Sequence, residues 1–93
     1  MKQYTGMYII RPNATEEQVK AANEAIATIF TQDGGQVLEV AEWGIKELAY
    51  EINDFSKGYY VKFVVNATNE AVAEYDRICN IREDVIRHII VRD

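Results

Sequence analysis

The sequence predicts an α+β fold, a split βαβ sandwich in which two helices cover one face of a four-stranded antiparallel sheet. Two β-rich runs, residues 43–52 and 59–66, flank a turn cluster with Asn53, Asp54 and Gly58, which is typical of a β-hairpin. One helical pattern and one further strand pattern lie on each side of this hairpin. The element order is therefore βαββαβ, and the second face of the sheet has no helices to cover it. We expect function to lie on that face.

The first strand and the first helix are predicted from a change in periodicity at Pro12. Side chains alternate over about residues 2–11, and proline ends the strand because it lacks the backbone donor of a sheet ladder. Asn13 or Thr15 can cap the helix that follows, and the glycines at 34–35 can end it. The apolar stripe of this helix consists of Val19, Ala22, Ile26, Ile29 and Phe30.

The second strand is predicted to be long, roughly residues 36–52, and its alternation changes phase. Trp43 and Ile45 occupy odd positions, whereas Tyr50 occupies an even one. A β-bulge near residues 44–47 would bring these side chains to consistent faces.

The third strand and the fourth strand are predicted from alternating side chains, and the second helix between them is predicted from a capping residue. Residues 59–66 alternate as a third strand, and Thr68 or Asn69 can cap the second helix. Residues 85–92 are predicted as the fourth strand. The apolar side of the second helix carries Val72, Tyr75 and either Ile78 or Cys79.

Composition predicts one ordinary globular domain, residues 1–93, in the cytoplasm. The chain is 48% apolar and 27% charged, which is typical of soluble domains with a single core. No apolar run is long enough to predict a membrane span, and no secretory signal pattern opens the sequence. The single cysteine, Cys79, excludes an internal disulfide and fits a reducing compartment.

The charge is unevenly distributed along an acidic chain. The net charge is −5, but residues 77–92 hold four of the five arginines and carry +2, so that the rest carries −7. A strongly acidic body argues against an extensive phosphate-binding surface. We therefore expect only a few phosphate contacts, made by a local basic footprint.

The positions of charged residues predict which side chains face away from the helices, because an unpaired charge beneath them would be costly. Arg11, Lys62 and Arg87 mark this open face on strands one, three and four. The apolar residues that share their parity are Met7, Ile9, Tyr60, Val64, Val85, Ile89 and Val91. Such a surface is too apolar to remain bare. A macromolecular partner is favoured over the alternative, in which loops or a curled second strand shield part of it.

Catalytic chemistry is poorly supplied, and we predict neither an enzyme nor a cofactor nor a metal site. Ser56 is the only serine and lies in a turn, while Cys79 falls on an apolar helix stripe. His88 falls on the helix side, where a lone histidine is more often a structural residue than a base or a ligand. One histidine and one cysteine are too few for a typical zinc site.

The tripeptide at residues 57–59 begins the third strand as the RNA-recognition-motif signature does. The match then fails, because Tyr60 stands where a small residue is expected and Val61 where a stacking aromatic is needed. A single-strand RNA binder that stacks a base on Tyr60 is therefore an alternative function. A small ligand-binding regulatory domain of the same fold is another.

The chain resembles the bacterial family of small-subunit ribosomal protein six. The resemblance lies in Tyr4 and in the segments at residues 8–13 (YIIRPN), 43–52 (WGIKELAYEI), 58–60 (GYY) and 81–92 (IREDVIRHIIVR). It implies the ferredoxin-like fold and a non-catalytic role in the cytoplasmic ribosome. It further implies binding to the central domain of 16S ribosomal RNA as a heterodimer with ribosomal protein eighteen.

The resemblance and the predicted faces together suggest site residues. A basic partner would supply most phosphate contacts, so that an acidic protein could join an RNA assembly with a few arginines and an apolar docking face. The residues expected near RNA phosphates are Lys2, Arg82, Arg87 and Arg92. The residues expected to contact the protein partner are Tyr50, Tyr60, Lys62 and Ile89.

Three departures from the family pattern carry expectations of their own. Lys46 and Glu47 stand where two basic residues are usual, which argues against RNA contact there. Gly6 replaces a larger apolar residue and should leave a gap that Tyr8 or Tyr4 can fill. The sequence ends at residue 93 without the polar tail of many relatives, from which we expect weaker partner binding.

Overall fold

The computed structural model describes residues 1–52 and 54–93 and confirms the predicted fold class. Antiparallel pairing joins the four strands in the order β2-β3-β1-β4. The elements are β1 (Lys2–Ile10), α1 (Glu16–Gln32), β2 (Gln36–Ile52), β3 (Phe55–Ala67), α2 (Asn69–Ile81) and β4 (Val85–Arg92).

Side-chain caps fix where both helices begin. Thr15, rather than Asn13, caps α1 through a capping box: its hydroxyl accepts from the Gln18 amide at 3.2 Å, and the Gln18 side chain accepts from the Thr15 amide at 2.9 Å. Thr68, rather than Asn69, caps α2, accepting from the Ala71 amide at 3.1 Å. These bonds satisfy backbone donors that would otherwise lack partners.

The third strand begins earlier in the β2–β3 hairpin than the sequence suggests. Asp54 adopts a φ of 67°, a left-handed conformation that aspartate tolerates in turns. Asn53, predicted as a second turn residue, lies outside the described residues. Gly58 was predicted to belong to the turn, but it lies within β3, which begins at Phe55. A Cβ atom at Gly58 would lie 2.2 Å from Cγ2 of Ile9, so the glycine leaves room for the Ile9 side chain of the neighbouring strand.

The predicted change of phase in β2 is confirmed, but the predicted position of the bulge is wrong, because residues 44–47 pair regularly with β3 and the register shifts lie on either side of them. Pairing with β3 shifts between Val37 and Glu39, between Glu42 and Gly44, and again before Ile52. The middle shift leaves Trp43 as an extra residue, and Gly44 beside it has a φ of +77°. Bulges of this kind add twist and change which face a side chain occupies.

The core lies between the sheet and the two helices, and aromatic rings fill its centre. The ring of Phe63 contacts three others, with centroid distances of 5.9 Å to Tyr8, 5.5 Å to Phe30 and 5.3 Å to Tyr75. The hydroxyl of the fully buried Tyr75 donates to the carbonyl of Ile89 at 3.1 Å. The burial of this aromatic cluster is a major source of stability.

Gly6 makes room for Phe63. A Cβ atom at Gly6 would lie 2.2 Å from Cζ of Phe63, so the ring occupies the space that a side chain would need. The prediction that Tyr8 or Tyr4 fills this gap is wrong. The cross-strand pair of Gly6 is Phe63 itself, whose ring lies directly over the glycine.

Val85 is a second correction, because it lies in the core and not on the open face. The register between β1 and β4 shifts between Ile9 and Ile10, so that Ile10 pairs with Val85 while Ile9 pairs with Arg87. Ile86 is the extra residue, and Val85 therefore turns toward the helices, where it is buried.

Neither helix in the described part of the chain is long and apolar enough to cross a membrane.

Replacing Gly6 with alanine tests the seating of Phe63. We expect Gly6→Ala to lower the free energy of unfolding by about 1–3 kcal/mol, because the new methyl group overlaps the packed ring. Phe63→Leu alone should also destabilise the chain, by removing part of the ring cluster. The double variant should be about 1 kcal/mol more stable than the sum of the two effects predicts. Urea unfolding of all four proteins measures this coupling, and strict additivity would contradict the proposed contact.

Candidate binding face of the sheet

The open face, which is the sheet surface away from the helices, is organised in rows that run across the strands. Antiparallel pairing places the side chains of directly opposed residues side by side on one face, so each row takes one residue from each strand. The three rows are Glu39, Val64, Thr5 and Val91; Ala41, Lys62, Met7 and Ile89; and Gly44, Tyr60, Ile9 and Arg87. This pairing confirms the predicted face for Met7, Ile9, Tyr60, Lys62, Val64, Arg87, Ile89 and Val91.

Arg11 does not belong to this face, and its prediction as an edge residue is wrong. The strand ends at Ile10, so its alternation no longer sets the direction of the next side chain. The guanidinium of Arg11 instead donates to the side-chain oxygen of Gln18 on α1 at 3.3 Å. The backbone amide of Arg11 donates to the backbone carbonyl of Asp84 at 2.9 Å. Arg11 therefore joins the start of α1 to the start of β4.

The end of β2 curls over one part of the open face. Leu48, Tyr50 and Ile52 line a pocket of about 230 Å³ together with Ile9 and Tyr60 of the sheet. Ile9 is only 7% exposed as a result, although it lies on the face without helices. The alternative in which the second strand shields part of the open face therefore holds for the row of Gly44, Tyr60, Ile9 and Arg87.

The other end of the open face remains exposed. Ile89 is 49% exposed and Val91 57% exposed, on the edge strand β4. Met7 and Val64 beside them are partly buried, and both described helices pack on the opposite side of the sheet. A protein surface that covers them would remove this apolar area from water.

The residues predicted to contact a protein partner lie close together. Tyr50, Tyr60 and Ile89 line the same pocket, which also includes Arg87. Lys62 lies in the row of Ile89, with Met7 between them. The structure therefore places all four predicted partner residues on one continuous surface.

Two aromatic contacts on this surface escaped the sequence analysis. Trp43 stacks on Tyr60 with ring planes 12° apart and centroids 6.5 Å apart, and the ammonium of Lys46 lies 5.8 Å from the Trp43 ring. The guanidinium of Arg87 donates to the hydroxyl of Tyr50 and lies 5.7 Å from its ring centroid. The change of phase predicted near residues 44–47 lies next to the first contact, but the alternation did not identify the pair. Nothing in the sequence pointed to the second.

The residues predicted to lie near RNA phosphates are spread over the molecule. Lys2 and Arg92 line one cleft beside the Thr68 cap of α2, at the end of the sheet where β1 begins and β4 ends. Arg82 lies at the opposite end of β4 and forms a bidentate ion pair with Asp84, at 3.0 and 3.1 Å. Arg87 lies between these ends, on the open face.

Tyr59 turns toward the helices, as the charge argument predicts. It pairs with Ile10 and Ile45 and packs against the core. Burial, together with the nearby Glu42 carboxylate, raises its pKa above the usual value. The open face therefore presents Tyr60 and Trp43 as stacked aromatics, which does not reproduce the pattern of the RNA-recognition motif.

Two comparisons with known proteins cover nearly the whole chain. The family model described as Ribosomal protein S6 matches residues 3–92. The crystal structure of 30S ribosomal protein S6 from Thermotoga maritima is similar in fold, with a TM-score of 0.92. The two sequences are 26% identical, and the match covers 99% of this chain and 87% of that chain.

Titratable side chains inside the fold are held in unreactive settings. His88 packs edge-on against Tyr75 and bonds to the Asp76 carboxylate at 2.7 Å, in the structural role predicted for it. Burial raises the pKa of the Cys79 thiol to about 12 and raises those of Tyr8 and Tyr75 as well. Within residues 1–52 and 54–93, no cluster of three metal-ligating side chains occurs.

The Cys79 thiol should therefore be inert in the native state. At pH 8 a thiol with a pKa of about 12 is ionised in only about one molecule in ten thousand. We expect native protein to resist a thiol-specific disulfide reagent at pH 8 and to react with one equivalent once urea unfolds it. Rapid labelling without urea would show that α2 does not bury this side chain.

Proposed function

Because the chain belongs to the ribosomal protein S6 family and is therefore a non-enzymatic component of the small ribosomal subunit, we propose how it assembles there. The chain binds the central domain of 16S ribosomal RNA as a heterodimer with ribosomal protein eighteen, on ribosomes in the cytoplasm. The observation that carries this proposal is the open face, which joins half-exposed apolar side chains to the four predicted partner residues.

The open face is suited to a protein partner because its exposed part is apolar and sparsely charged. Ile89 and Val91 supply the apolar area, while Lys62 and Tyr60 can hydrogen-bond at its border. A rigid sheet holds these groups in fixed positions, so little conformational entropy is lost when they dock. Tyr50, whose ring contacts the guanidinium of Arg87, forms one wall of the same surface.

Phosphate contacts in this proposal come from few residues. Lys2 and Arg92 act together, since they share one cleft and the nearby amino terminus of α2 adds a favourable dipole. Arg87 approaches RNA from the open face. Arg82 contributes less than the others, because Asp84 already neutralises its charge. With so few contacts, most of the affinity for RNA must come from the basic partner.

Substituting Ile89 tests the docking face. Ile89→Asp places a carboxylate in the exposed row, and we expect it to weaken binding of ribosomal protein eighteen at least tenfold, an effect of about 1.4 kcal/mol or more. Titration calorimetry with the purified partner measures this change. Ile81→Asp is the matched control, because Ile81 is 63% exposed but lies at the end of α2, in the helix layer.

The control should bind like the unmodified chain, and both variants should unfold in urea near the same midpoint. If Ile81→Asp weakened the complex as much as Ile89→Asp, the docking face would have to include the helix side. Tight binding of central-domain RNA by the chain alone would instead favour the single-strand RNA binder.

Neutralising the cleft between Lys2 and Arg92 tests the phosphate contacts. Each lost contact should reduce the slope of log affinity against log salt by about 1, so Lys2→Gln with Arg92→Gln should reduce it by about 2. The measurement is binding of the heterodimer to a central-domain RNA fragment at several salt concentrations. The matched control is Lys20→Gln with Arg77→Gln, two residues on the helices. An equal change in slope for both pairs would contradict the assignment.

A further inference from the structure

A second surface, separate from the open face, lies between α1 and the edge strand β2. We call it the α1–β2 groove. One wall is α1, the other is formed by helix-facing side chains of β2, and Tyr59 and Phe63 of β3 contribute to its floor. Val40 and Ile45, on the β2 wall, are 52% and 50% exposed.

A polar bridge divides the groove into two compartments. The Asn23 amide nitrogen donates to the Glu42 carboxylate at 2.6 Å, and the Asn23 oxygen accepts from the hydroxyl of Tyr8. On one side, a compartment of about 210 Å³ is almost wholly apolar and is lined by Ile26, Phe30, Val37 and Val40 among others. On the other side, a wider space of about 540 Å³ includes Glu16, Glu42, Lys20 and Tyr59.

The groove lies in the most acidic part of the chain. Residues 12–52, which contain α1 and β2, hold eight carboxylates and two lysines, a net charge of −6. The rest of the chain has a net charge of +1, which accounts for the total of −5. Glu16, Glu24 and Glu42 lie directly on the groove. Nucleic acid would be repelled from this surface, whereas a basic ligand would be attracted.

We propose that the α1–β2 groove binds a basic protein segment that bears aliphatic side chains. One aliphatic side chain enters the apolar compartment between Ile26 and Val40. Lysine or arginine side chains on either side of it lie against the carboxylates of Glu24 and of Glu16 or Glu42. The charge of the surface and the apolar compartment together select this chemistry. The proposal involves neither RNA nor the open face, so it stands apart from the function proposed above.

The test is a titration of the ¹⁵N-labelled full chain with a capped basic peptide, Ac-RVKLRVK-NH2, followed by two-dimensional NMR. We expect the largest amide shifts in residues 16–27 of α1 and 37–45 of β2, with smaller shifts at the floor residues Tyr59 and Phe63. Affinity should fall by about tenfold between 50 and 300 mM salt, because exposed charge pairs are screened. The acidic counterpart, Ac-EVELEVE-NH2, should cause no such shifts. Equal binding of both peptides, or shifts centred on Met7 and Ile89, would overturn the proposal.

Three variants of the chain sharpen the result. Val40→Arg places a positive charge, the same sign as that of the peptide, at the entrance of the apolar compartment. It should weaken peptide binding at least tenfold. Ile81→Arg is the matched control, because Ile81 is a similarly exposed aliphatic residue at the end of α2 that lines neither the groove nor the open face, and it should leave affinity unchanged. Glu24→Gln, an exposed substitution on α1, should weaken binding two- to threefold and reduce the salt dependence. Unchanged affinity in both Val40→Arg and Glu24→Gln would overturn the proposal.

Discussion

The ring of Phe63 seated over Gly6 is the contact on which the rest of the sheet depends. It fixes an odd residue of β3 toward the helices, so the even residues Tyr60 and Lys62 must face the other way. A shift of register by one residue would bury Lys62 and expose the ring cluster. Because Gly6 pairs with Phe63 and also with Ile90, the same contact sets the face of β1 and β4. The open face is thus a consequence of how the core packs.

Much of this arrangement was predictable because charges and periodicity carry face information. Lys62 and Arg87 could not lie unpaired beneath the helices, and that constraint alone placed their neighbours Val64 and Ile89 on the open face. The sequence limited the capping residue of each helix to two candidates. For α1 the candidates were Asn13 and Thr15, and the structure shows that Thr15 caps the helix through reciprocal bonds with Gln18.

The two errors about which face a side chain occupies share one physical cause, since alternation holds only while a strand keeps its register. Val85 was misplaced because Ile86 is a bulge residue, and Arg11 because β1 ends one residue before it. Long-range contacts could not be predicted from the sequence, for a different reason. The hydrogen bond between Arg87 and Tyr50 joins residues that are 37 positions apart. Neither residue lies in a local sequence pattern that identifies its partner. The sequence therefore identified the open face but not how β2 closes over part of it.

The bulges in β2 determine which of its residues face each of two unlike surfaces. A regular strand would send alternate residues to fixed faces along all of Gln36–Ile52. The extra residue Trp43 changes this: Val40 and Glu42 face the helix layer before it, and the odd-numbered Ile45 does so after it. Trp43 itself stacks on Tyr60 across the open face. The positive φ of Gly44 is the local conformation that accompanies the change, and a β-branched residue would adopt it only with strain. An acidic groove and an apolar face therefore lie on opposite sides of one strand, where two partners could bind without competing for the same side chains.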